Sequence, residues 1–168
     1  MLEQFVLAFV AGLLVKCVDW LDDVRKSAHP VKFALAAGYG VAIGYLIGVS
    51  GFSLLFLAAL FAQVFARKID TAAHRLGFAL SILSLAYFGF PAIDFPLFAF
   101  FLIMAFLDEM EYVGALKPLS DYRPFLKLAG LAMVPFGRWE FFVGIMAFDL
   151  GYELFALLSK GLAGKRKK

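Results

Sequence analysis

The sequence predicts an all-α fold: a polytopic transmembrane helix bundle of about seven helices, built as one domain. Three observations predict it. Of the 168 residues, 63% are hydrophobic, and the mean hydropathy is +0.87. Soluble domains stay near ~45–50% apolar. The apolar residues fall into runs close to the ~20 residues, range roughly 17–25, that cross a bilayer. The charges collect at the ends of those runs.

The first run covers residues 5–19. Glu3 precedes it and no basic leader does, so no cleavable signal is expected. The second covers 29–49 and carries Gly38, Gly40, Gly44 and Gly48. Its Gly40-x-x-x-Gly44-x-x-x-Gly48 spacing predicts close backbone approach by a neighbour. The third, 52–66, ends at Arg67-Lys68-Ile69-Asp70, and the fourth, 74–90, is closed by Pro91. The fifth, 95–108, is read as running on to Tyr112. The sixth, 124–136, is too short to cross without tilt or thinning. The seventh, 139–159, leads into a basic tail over 161–168, so residues 1–160 form the single domain. The one cysteine, Cys17, excludes a disulfide framework within the chain.

Threading these runs up and down places only Arg138, of 16 Lys and Arg, on the side that holds the N-terminus. Basic residues favour the cytoplasmic face. The N-terminus is therefore expected outside and the C-terminus in the cytoplasm, in a prokaryotic plasma membrane.

Carboxylates concentrate on the same cytoplasmic side. Asp19 and Asp22 are three apart, and Asp19 and Asp23 four apart, so either pair shares a helix face. Asp108 and Glu111 repeat the spacing of three. Like charges on one face repel, so such pairs hold a cation or are neutralised by bases. Mg²⁺ takes oxygen ligands, commonly one or two carboxylates with water and phosphate oxygens. The competing reading is a solvated helix end balanced by Lys16, Arg25 and Lys26. Arg67 and Arg123 belong to a basic set that flanks the acids. Lys32 and Lys127 each sit one turn inside the helix that follows an acidic motif, within reach of a phosphate. Those helices begin at His29-Pro30 and Arg123-Pro124, and helix N-termini favour phosphate. Asp149 and Glu153 lie within the seventh run, four apart, and Asp70 and His74 lie at the start of the fourth. Carboxylates this deep suggest an ion path, a proton relay or a cavity wall, or else partners for Arg67 or Lys16.

The layout resembles the UbiA-type intramembrane prenyltransferases. Val18-Asp19-Trp20-Leu21-Asp22 is similar to that family's first acidic motif, with Val18 in place of its Asn. Asp108-Glu109-Met110-Glu111 with Gly114, three helices on, resembles the second. The resemblance implies catalytic carboxylates at Asp19, Asp22, Asp108 and Glu111. It implies that these, with Asp23, bind Mg²⁺, and that Lys32, Arg67, Arg123 and Lys127 bind a prenyl diphosphate or other lipid-linked phosphate. The alternatives are a cation- or proton-coupled transporter using Asp149 and Glu153, and a non-catalytic membrane scaffold. Membrane lipid is an expected partner, nucleic acid is not, and a homo-oligomer is compatible with the pattern.

Overall fold

A long apolar segment in lipid must pair its own backbone N–H and C=O groups, and a helix does so locally. The computed structural model describes residues 1–24 and 30–164, and every regular element there is helical. In order these are α1 (Leu2–Asp19), which passes into a π-helical turn over Trp20–Val24, α2 (Val31–Val49), α3 (Ser53–Phe65) and α4 (Ala72–Phe88). Then come α5 (Phe95–Glu109), α6 (Lys117–Tyr122), α7 (Pro124–Ala132) and α8 (Trp139–Gly164). Three helices are long and apolar enough to cross a membrane, over Leu2–Asp23, Val31–Val49 and Trp139–Lys160. Shorter apolar helices cover Ser53–Phe65, Ala72–Phe88 and Pro124–Phe136. Many large apolar side chains face outward, among them Leu83, Phe95, Ile103, Leu128 and Leu157. An outer surface of this kind is compatible with a membrane protein.

Three ends differ from the sequence expectation. α5 stops at Glu109, short of Tyr112, because Met110 is extended at φ −71°, ψ 144°. The Tyr112 hydroxyl donates to the Leu107 carbonyl at 3.1 Å, and the Tyr112 N–H donates to Ser120 Oγ at 2.7 Å. The first of these gives the Leu107 carbonyl, which also accepts from the Met110 N–H at 3.3 Å, a second donor. α7 gives way to a 3₁₀ turn over Val134–Phe136, where Pro135 has no N–H to continue the helix. α8 runs past the expected end at Ser159 to Gly164, into the basic tail. Arg25, Lys26 and His29 lie outside the described residues.

Packing follows the glycines. Side chains built at Gly40, Gly44 and Gly48 of α2 would strike Gly77, Ser81 and Phe88 of α4, so the two helices lie parallel with backbones close together. α1 and α8 pair in the same manner through Gly12 against the Phe148 carbonyl and Gly151 against the Phe9 carbonyl. α3 is the centre: Leu54 to Ala58 are all buried, as expected of a helix that is apolar all round. Phe52, Phe101 and Phe141 pack with it in the core.

Candidate functional site

The acidic ends of α1 and α5 are distant in sequence, yet both reach one cavity of about 740 Å³. Asp19 and Asp23 line it from one side, and Asp108 and Glu109 from another. Arg123 and Lys127 contribute at α7, and Asp149, Tyr152, Glu153 and Lys160 at α8. Seven carboxylates and four cationic side chains line the space among the described residues, a formal excess of three negative charges. Asp19, Asp23, Asp108, Glu109 and Arg123 lie at or beside helix ends, whereas Asp149 and Glu153 sit within α8. Further along the bundle the wall is apolar, formed by Leu55, Phe56, Ala59 and Leu60 of α3 with Ala105 and Phe148.

Most of these carboxylates already hold a partner. His74 Nε2 lies 3.0 Å from Asp19 Oδ1, and the Tyr152 hydroxyl donates to Asp19 Oδ2 at 2.9 Å. Lys16 Nζ donates in turn to the Tyr152 oxygen at 3.0 Å. Asp149 pairs with Lys127 at 3.0 Å. The sequence offered Arg67 or Lys16 for that role, but Arg67 is exposed and outside the cavity, and Lys16 is taken by Tyr152.

Asp108 has a different task from the one its motif suggested. It is only 7% exposed, and its two oxygens accept from the N–H groups of Phe125 at 2.9 Å and Leu126 at 2.8 Å. These belong to the N–H groups that the first turn of a helix leaves unpaired. Asp108 therefore caps α7 from across the fold, and that N-terminus is closed to phosphate. The residue at the capping position itself, Arg123, makes no side-chain cap and is left-handed at φ 44°. Few residues with a side chain adopt that conformation. It lets the chain turn from α6 into α7 and aims the guanidinium at Glu109, 3.5 Å away. Partial burial works against the charge on Arg123. Glu109 first, then Asp19 and Asp108, outweigh it and hold the guanidinium above its ordinary range.

The remaining expected site residues lie elsewhere. Asp22 sits in the π-helical turn after Asp19, and its Oδ1 accepts from Lys32 at 2.6 Å. Neither Asp22 nor Lys32 lines the cavity. Glu111 has left the helix, so it does not share a face with Asp108. Its side chain is 87% exposed and meets Lys68. Asp70 is exposed, and His74 reaches the cavity only through Asp19. Exposed pairs contribute little. Glu111→Gln is accordingly expected to leave both the unfolding temperature and ligand binding of the purified chain unchanged, where loss of a metal ligand would change binding.

Among the described residues, no group of three or more His, Cys, Asp or Glu side chains is placed to hold a metal ion. Mg²⁺ asks for less, one or two carboxylates with water and phosphate oxygens. The α1 wall meets that standard. Asp19 and Asp23 both face the cavity, and Asp23 is in no ion pair among the described residues. The α5 wall does not, since Asp108 is spent on α7 and Glu109 on Arg123. Sequence reasoning passed over Tyr152 and Lys160, and placed Glu109 and Asp121 at helix ends without giving them a site role. The available signal for Tyr152 was its place between Asp149 and Glu153, on a helix otherwise read for carboxylates alone.

Fold and surface together define the class: an all-helical protein compatible with a membrane setting, with an amphipathic cavity at one end of the bundle. Comparison with models of protein families, with curated proteins and with solved structures finds no match.

Proposed function

We propose that the chain crosses a plasma membrane seven times, with its C-terminus in the cytoplasm. Its cavity binds a prenyl diphosphate, or another lipid-linked phosphate, at the cytoplasmic interface. The chemistry is that of a Mg²⁺-dependent, prenyltransferase-like enzyme. One observation carries the reading: charged helix ends and an apolar wall share a single cavity, which suits a ligand with an anionic head and a hydrocarbon tail.

The charge balance adds the cation. An excess of three negative charges repels a diphosphate unless positive charge enters with it. Asp19 and Asp23 would hold Mg²⁺, which when bound supplies charge stabilisation to a departing diphosphate. Lys127 and Arg123 exchange their carboxylate partners for phosphate oxygens. Lys16 and Lys160 line the same space and add to the positive field. Leu55, Phe56 and Phe148 surround the tail and keep water from the reacting carbon.

The test is calorimetric binding of farnesyl diphosphate to the purified chain in nanodiscs. Binding is expected with Mg²⁺, and to weaken about tenfold or more with chelator or in Asp23→Asn, as loss of a carboxylate ligand predicts. A wild-type chain that binds none under either condition overturns the reading. Should proteoliposomes of that chain instead pass cations, and those of Asp149→Asn not, a transporter built on the Lys127–Asp149 pair replaces it. A chain that does neither is a scaffold.

A further inference from the structure

We infer that Tyr152 and His74 are positioning residues that fix the Asp19 carboxylate toward the cation of the cavity. The inference deepens the reading above and rests on it.

Among the described residues, Asp19 is the cavity carboxylate held through both oxygens by side chains that come from two other helices, and Lys16 of its own helix lies 4.0 Å from Oδ2. Tyr152 of α8 donates to Oδ2 at 2.9 Å, and His74 of α4 lies 3.0 Å from Oδ1. Each donor is itself held. Lys16 Nζ donates to the Tyr152 oxygen at 3.0 Å, which directs the tyrosine proton to Asp19. The Tyr39 hydroxyl of α2 lies 2.9 Å from His74 Nδ1. With Nε2 donating to Asp19, Nδ1 is left to accept from Tyr39, so the ring has one consistent orientation. Tyr39 is 5% exposed and packs across Gly77, where a larger residue would displace it. The carboxylate thus cannot rotate without breaking bonds to residues from α4 and α8.

A carboxylate oxygen has capacity beyond one hydrogen bond. Asp19 keeps lone pairs for a cation while both donors stay in place, and its side chain is 22% exposed and lines the cavity. Asp23, the other carboxylate of that wall, has no such holder among the described residues. The two play different parts: Asp19 arrives in a fixed geometry, and Asp23 adjusts to the bound species. Residues that orient a metal ligand typically change affinity about 10- to 100-fold when lost.

The experiment titrates Mn²⁺ against the full chain in nanodiscs at fixed farnesyl diphosphate, following free Mn²⁺ by electron paramagnetic resonance. Thermal unfolding is measured on the same samples. Tyr152→Phe and His74→Leu are expected to raise the Mn²⁺ midpoint about tenfold or more. His74→Gln, whose amide nitrogen stands where Nε2 did, is expected to stay within about threefold of wild type. Unchanged midpoints in both Tyr152→Phe and His74→Leu overturn the inference alone. So does a His74→Gln chain as weak as His74→Leu, because the loss then follows the fold and not the donor. Where one variant does not fold, the other decides. A wild-type chain that takes up no Mn²⁺ with the diphosphate overturns the proposed function, and this inference with it.

Discussion

Asp108→Ala is expected to lower the unfolding free energy by about 2–4 kcal/mol. Two N–H groups, of part-buried Phe125 and buried Leu126, lose their acceptor at once. Each unsatisfied donor costs about 1–3 kcal/mol, and an N-cap is worth ~1 kcal/mol in its own right. Water cannot repair the loss easily, since Asp108 is only 7% exposed. Asp108→Asn retains one acceptor oxygen and should fall between alanine and wild type. Denaturant unfolding of the detergent-solubilised chain measures this. The opposite pattern, an unchanged unfolding midpoint with lost metal affinity, would make Asp108 a ligand and sink its role as the cap of α7.

Gly151→Ala carries the second large effect. A methyl group there runs into the Phe9 carbonyl and the Leu13 nitrogen of α1, and backbone cannot swing aside as a side-chain tip can. α1 and α8 must part. Overpacking costs about 1–3 kcal/mol, and sites with no slack reach the upper end. Tyr152 is the next residue, so the shift also pulls its hydroxyl off Asp19, and binding should weaken along with stability. Gly12→Ala strains the same interface against the Phe148 carbonyl. Combining the two should cost less than their sum, because the helices separate only once. Gly38→Ala is the control: its only close neighbour is the Leu14 Cδ1 atom at 3.3 Å, a side-chain end that can yield. Equal unfolding temperatures for the Gly151 and Gly38 variants would rule out the close α1–α8 contact.

The sequence made the helices and the acids at their ends legible, because both depend on local pattern. Apolar runs stand out against charged ends wherever lipid is the solvent. Gly40, Gly44 and Gly48 announced a close neighbour, and α4 is that neighbour. What stayed hidden depends on long-range geometry. Helix caps are read a few residues before a helix, whereas α7 is capped from α5 by Asp108. Glu111 looked like a partner of Asp108 only while α5 was assumed to continue. The Tyr112 hydrogen bonds that end the helix involve Ser120, beyond any local window. Asp22 meets Lys32 from a π-helical turn that no spacing rule announces. Tyr152 was invisible because its importance lies in what it touches.

The parallel pairing of α1 with α8 has a consequence for how the chain is made. A ribosome delivers Asp19 early and Tyr152 only after more than a hundred further residues. Until then α1 carries a bare glycine groove and a carboxylate lacking one of its donors. A nascent chain of this design needs other cover for that face until its closing helix is made. Arrest of synthesis before residue 139 is expected to leave a species that the cell's proteases remove.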